Sequence, residues 1–171
     1  MPTRLQMSNA GKFIFIIILG SVIFVLVSMW MSGNLSIKLA EFESQTCNAP
    51  EYAIVTNVID GDTIIVDGGH WVRLLEMDAD EKKERCYNEA KDRLEELVLG
   101  KEVRLQKDVS ELDKYGRCLR TVFMDEQNIN VQMVKEGAAQ AAFYEPDVAH
   151  RQEMLAAQED ARAESRGCEW K

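Results

Sequence analysis

The sequence predicts an α+β domain: a small Greek-key barrel of short antiparallel strands with helices packed on it, preceded by one transmembrane helix. Three observations lead there. Short Val- and Ile-rich runs recur between Gly- and Asp-rich turns. Longer stretches carry an apolar stripe at helical spacing. Residues 13–31, from Phe13 to Met31, contain no charge.

The apolar segment comes first. A helix of its 19 residues rises ~28 Å, close to the ~30 Å hydrocarbon core of a bilayer. Arg4 and Lys12 precede it, and only Lys38 follows closely, with Glu41 and Glu43 soon after. That basic bias puts residues 1–12 in the cytoplasm and the remainder outside, extracellular or periplasmic. A cleaved signal peptide is the rival reading, but its apolar region would run only ~7–15 residues and end at a small-residue site. Ser28-Met29-Trp30-Met31 offers no such site. Residues 32–51 are polar and mixed and read as a tether. Asn34-Leu35-Ser36 matches a glycosylation acceptor, a three-residue pattern that recurs by chance.

The domain spans 52–171. Tyr52–Ile59 reads as a strand, Asp60-Gly61-Asp62 as a turn, Thr63–Val66 as a second strand, and Asp67-Gly68-Gly69 as a hairpin turn. His70–Met77 is a third strand with Val72, Leu74 and Leu75 toward the core. Glu81–Arg85 is a charged loop. Ala90, Leu94, Leu97 and Val98 mark one face of an amphipathic helix that Gly100 stops. Glu102–Gln106 and Cys118–Met124 are strands, and Asn128–Asn130 a short one. Asn130 is placed to cap a helix reaching Glu136 and closed by Gly137. A last helix runs from about Asp147 to Ser165, with Met154, Leu155, Gln158 and Ala161 in its stripe. Gly167 ends it, and Trp170 is expected to fold back on the core.

The net charge is −9. Residues 1–51 carry three acids and three bases, so the whole negative surplus lies in the domain. This argues against a protein that grips nucleic acid by bulk positive charge, though not against a local basic cleft. Cys47, Cys86, Cys118 and Cys168 form no C-x-x-C pair, and neither His70 nor His150 lies near one at zinc spacing. Outside the membrane, four cysteines suggest two disulfides, with all three pairings open; buried free thiols are the alternative.

Candidate chemistry concentrates in a few side chains. Asp60 reads as a turn former. Asp62 sits at a turn-to-strand junction and Asp78 at a strand end; neighbouring strands would bring both to one site, and carboxylate oxygens suit calcium. Glu81, three residues on, could orient or deprotonate a water, or it could be one more charge of a solvated loop. Arg73 lies inside an otherwise apolar strand and must find a partner or a cleft. Arg117 follows Gly116 after a turn. Either guanidinium could hold a phosphate by two hydrogen bonds. Tyr115 and the pair Phe143-Tyr144 could stack on bases, with core packing the plainer role for Phe143.

Together these residues resemble the staphylococcal nuclease-like (thermonuclease) family. Val58-Ile59-Asp60-Gly61-Asp62-Thr63-Ile64, Val72 through Glu81, and Asp113-Lys114-Tyr115-Gly116-Arg117 look like its three signatures in order. Asn130 through Gly137 and Ala157 through Trp170 resemble its closing helices. The likeness implies a five-stranded OB-fold barrel with three helices, and calcium-dependent hydrolysis of DNA or RNA that favours single strands and leaves 3′-phosphates. It implies that Asp62, Asp78 and the carbonyl of Ala79 ligate Ca2+, that Glu81 is the general base, and that Arg73 and Arg117 hold the scissile phosphate. Tyr115 and Tyr144 are the expected substrate-binding aromatics, and the protein is expected to act as a monomer. One departure stands out: the family usually has Pro where this chain has Asp80, which leaves Glu81 less rigidly held and adds negative charge. The rival reading is a catalytically silent OB-fold module that binds nucleic acid or protein at the membrane surface.

Overall fold

Tyr52–Val58 (β1) shows why the apolar runs become strands. Ala53 and Val55 point into the core while Tyr52 and Ile54 face out, the two-residue period of a pleated strand. In this computed structural model, residue 21, residues 23–28 and residues 46–171 are described. The chain divides between residues 44 and 45 into two units, each taken by itself. In the first, Ser21 and residues 23–28 are helical. Among the described residues no helix is long and apolar enough to cross a membrane. Most of the expected span 13–31 and of the tether, with Asn34 and the expected cytoplasmic segment 1–12, lies outside the described residues.

The second unit is a closed five-stranded barrel with helices, an OB-fold-like α+β architecture. β1 pairs antiparallel with Thr63–Val66 (β2) and with Glu102–Gln106 (β5). β2 pairs with His70–Leu74 (β3), and β5 with Cys118–Met124 (β6). A parallel pairing of β3 with β6 closes the ring. A bulge between Val55 and Asn57 shifts the β1 register and lets Val58 turn inward again. Gln127–Asn128 (β7) extends β6 as a hairpin, and Met77–Asp78 (β4) pairs with Gln140–Ala141 (β8).

Three helices cover the barrel: Tyr87–Val98 (α1), Ile129–Lys135 (α2) and Arg151–Ala163 (α3). The expected stripe of α1 is the buried one: Ala90, Leu94, Leu97 and Val98. Arg93 of α1 grips Glu136 with two hydrogen bonds, Nε to Oε2 at 2.5 Å and Nη2 to Oε1 at 2.9 Å, tying α1 to the end of α2. Two disulfides form, Cys47–Cys118 and Cys86–Cys168.

Four expectations change. The third strand stops at Leu74: Glu76 takes a left-handed backbone (φ 60°), buries its carboxylate, and accepts the N–H of His150 at 2.7 Å. Asn128, not Asn130, caps α2, accepting the N–H of Val131 at 3.2 Å. Asn130 is instead fully buried, taking the N–H of Val122 (3.0 Å) and donating to the carbonyl of Leu75 (2.9 Å). The last helix begins at Arg151, because Asp147 is engaged elsewhere: its carboxylate accepts the N–H groups of Val109 (2.9 Å) and Ser110 (2.7 Å). In the stripe of α3, Met154, Ala157 and Ala161 are buried, whereas Leu155 is exposed. Trp170 is half-buried, its ring 5.0 Å from the guanidinium of Arg162.

Gly137 and Gly167 do more than stop helices. Both have positive φ, and a Cβ on either would collide with the other segment's backbone, so the tail after α3 packs directly on the end of α2.

Candidate active site

Strand register assembles the site. Thr63 of β2 lies opposite Arg73 of β3, which lies beside Leu119 of β6. Asp62 directly precedes Thr63, and its carbonyl accepts the N–H of Leu74 at 2.9 Å. Alternation then sends Val72 and Leu74 inward and Arg73 outward. The turn before Asp62 is closed by Asp60, whose Oδ1 accepts the N–H of Asp62 at 3.1 Å, in keeping with its reading as a turn former. Burial pushes the Asp60 carboxyl up from its ordinary pKa, against the opposing pull of Thr63 and Arg73. Behind the turn, a Cβ on Gly61 would lie 2.6 Å from Cβ of Ala79 and 2.7 Å from Cβ of Ala90, so only glycine lets the turn sit this close to α1.

Arg73 joins the two aspartates. Its Nη1 pairs with Asp62 Oδ2, and its Nη2 donates to Asp78 Oδ1 at 2.6 Å. The break after Leu74 and the pairing of β4 with β8 hold Asp78 where Arg73 meets it. Burial lowers the Arg73 pKa and Asp78 opposes the shift; a guanidinium stays charged regardless. Asp62 is buried and fully engaged, accepting also from Thr63 Oγ1 (2.9 Å) and from the N–H of Ala79 (3.1 Å).

The loop between β5 and β6 brings the second arginine. Asp113 Oδ1 accepts the N–H groups of Tyr115 and Arg117, each at 2.9 Å, and Oδ2 accepts Arg117 Nε at 2.6 Å. Burial works to raise the Asp113 pKa, but the hydrogen bonds from Arg117 outweigh it and hold the carboxyl below its ordinary value. Arg117 Nη1 then reaches Thr63 Oγ1 at 3.2 Å. One continuous chain of contacts thus runs Arg117, Thr63, Asp62, Arg73, Asp78. Both arginines border a cleft of about 440 Å³ that Tyr115 and Tyr144 also line. Those tyrosines are 72% and 70% exposed, whereas Phe143 packs against the core.

The donor set suits a hard divalent cation. Two carboxylates, Asp62 just before β2 and Asp78 in β4, already share one positive group, the Arg73 guanidinium. Asp80, Cys86 and Glu169 also cluster, but Cys86 is committed to a disulfide and cannot ligate. Asp80 instead accepts the N–H of Cys86 at 2.7 Å.

The profile described as "Staphylococcal nuclease homologue" matches residues 71–171. The chain is 34% identical over 156 residues to the thermonuclease of Staphylococcus intermedius, covering 86% of this chain and 90% of that one. It is 32% identical to the thermonuclease of Staphylococcus hyicus over the same shares. It is also 38% identical over 129 residues to an uncharacterized endonuclease of Haemophilus influenzae, covering 73% and 66%. The chain belongs to the staphylococcal nuclease family.

The structure brings five of the predicted positions together: Asp62, Arg73, Asp78, Ala79 and Arg117. Glu81 stands apart. It is exposed, and its side chain makes no hydrogen bond or ion pair among the described residues. Its backbone is nevertheless held: its N–H donates to Glu84 Oε2 (2.5 Å), and its carbonyl accepts the N–H of Glu84 (2.9 Å). Asp80 pins the same loop through its bond from the N–H of Cys86. Arg85 donates to the carbonyl of Cys168 at 2.6 Å beside the Cys86–Cys168 bridge. Two participants escaped the sequence reading. Thr63 carries no charge and looks like any strand threonine. Glu76 sits in the cleft wall with its pKa raised by burial, and only its polarity within an apolar run could have flagged it.

Proposed function

We propose that this protein is a calcium-assisted nuclease that hydrolyses phosphodiester bonds of DNA or RNA, acting as a monomer on single strands and leaving 3′-phosphates. The observation that carries this reading is the convergence of Arg73, from β3, and Arg117, from the loop before β6, on the linked oxygens of Asp62 and Thr63. Names borne by the relatives, thermonuclease and endonuclease, point the same way.

Arg73 and Arg117 clamp the phosphate and carry the charge that grows as its phosphorus becomes five-coordinate. Glu81 takes a proton from the attacking water, whose oxygen bonds to phosphorus as the bond to the 5′ oxygen breaks; that oxygen regains a proton from solvent. Tyr115 and Tyr144 stack the flanking bases. Asp62, Asp78 and the carbonyl of Ala79 would hold calcium, which supplies fixed positive charge beside the phosphate.

The test is incubation of the full chain with a single-stranded oligonucleotide, in calcium or in chelator. Cleavage in calcium alone is expected, with Glu81→Gln and Arg117→Ala slower by about 100-fold or more while remaining folded. A wild-type chain that leaves the strand intact in calcium sinks the proposal, and full activity in chelator sinks the role of calcium.

The domain works outside the cytoplasm, anchored by residues 13–31. Two disulfides support an oxidising compartment. Membrane fractionation with protease accessibility tests the placement: a domain shielded from external protease in intact cells contradicts it.

A further inference from the structure

The alternation that turns Arg73 toward the cleft also sets Trp71 on the same outer face of β3, two residues and ~7 Å away. Trp71 is 47% exposed, although burial of an indole is strongly favoured. It lines a second cleft, of about 550 Å³, that shares Tyr115 and Arg117 with the first. The two clefts therefore meet at the 115–117 loop. Between the aromatics the second cleft is clear of side chains at Gly69 and Gly116, and a Cβ at either would touch nothing within 4 Å. The positive φ of Gly116 (82°) keeps that opening glycine-only. Positive groups stand where the clefts meet: Lys114 Nζ, in the wall of the first, and the Arg117 guanidinium, in the wall of both, lie 4.9 and 5.5 Å from the Tyr115 ring. The Cys47–Cys118 bridge fixes the wall that carries Thr46 and Asn48.

One exposed aromatic needs no explanation. Two exposed aromatics in a cleft continuous with a phosphate clamp match what a polynucleotide needs: a cationic path for its backbone and flat faces for its bases. We propose that this second cleft binds a further nucleotide of the strand whose phosphate lies at Arg73 and Arg117, with Trp71 as the stacking platform. The inference rests on the nuclease reading and adds to it a subsite for longer single strands. Trp71 is a binding residue here and takes no part in bond breaking.

The test compares the full-length wild type with Trp71→Phe and Trp71→Ala, on a dinucleotide and on an oligothymidylate of about 12 nucleotides. The longer strand quenches the tryptophan fluorescence of wild type, and Trp71→Phe removes that quenching. Trp71→Ala raises KM for the longer strand about 10-fold, the equivalent of ~1.4 kcal/mol of lost stacking, and Trp71→Phe restores most of it. The dinucleotide KM moves by less than about two-fold, since a dinucleotide leaves the second cleft empty. Normal cleavage with unchanged KM and no quenching overturns the subsite alone. A wild type that neither binds nor cleaves the longer strand overturns the nuclease reading with it.

Discussion

Thr63 joins the two arginines through one hydroxyl, accepting from Arg117 and donating to Asp62. Thr63→Val keeps the volume and removes the link. It is expected to lower stability by about 1 kcal/mol and kcat/KM about 10-fold, the first read by urea denaturation and the second by initial rates. Asn130 is the other silent residue, bridging Val122 and Leu75 inside the core. Asn130→Ala leaves both backbone groups unpaired and is expected to cost roughly 2–4 kcal/mol, with the denaturation midpoint as readout. Charged candidates were legible in the sequence because their context was odd, as with Arg73 inside an apolar strand. Thr63 and Asn130 were not, since a neutral hydrogen-bonding side chain looks the same in a site, a core or a cap.

At the scale of elements, the site depends on how tightly two short segments meet. The 60–62 turn presses on Ala79 and α1 at Gly61. Gly61→Ala must push them apart, and the expected loss is ~1–3 kcal/mol with a fall in kcat as Asp62 shifts; an unaltered kcat and midpoint would contradict the packing account. The loop bearing Glu81 is held to the chain's tail by Cys86–Cys168 and Arg85. The double variant Cys86→Ser, Cys168→Ser is expected to lose about 2–5 kcal/mol and to slow cleavage. Strand runs and the α1 stripe were readable because period and burial coincide. The break after Leu74 was not, because Leu75-Glu76 continues a plausible strand pattern and only the buried partner at His150 explains the turn. Disulfide pairing was equally hidden: it is decided by which elements the closed barrel makes neighbours.

For the whole molecule, the net charge is −9, and the cleft sets Arg73, Lys114 and Arg117 against Glu76, Asp113 and Asp147. Several acids are stabilised in place. Hydrogen bonds from Lys107 and Arg120 hold Glu111 below its ordinary pKa, and those from Arg93 do so for Glu136. A depressed carboxylate contributes stability above its unfolded value, ~4.3–4.5, that is lost as pH falls through the folded one. Burial pushes Asp60, Glu76 and Glu169 the other way, so their contribution grows as pH falls and partly offsets the loss. Urea midpoints are therefore expected to hold between pH 7 and about 5 and to drop below about 4; a steady decline from pH 7 would contradict this. The proposed cation site of Asp62 and Asp78 carries two negative charges, of which Arg73 offsets one. It is tested by calorimetric titration of calcium into wild type and Arg73→Ala. Loss of the competing guanidinium should tighten calcium binding several-fold, on the order of 1 kcal/mol, even as cleavage fails. Calcium affinity that is unchanged or abolished in Arg73→Ala would contradict the account.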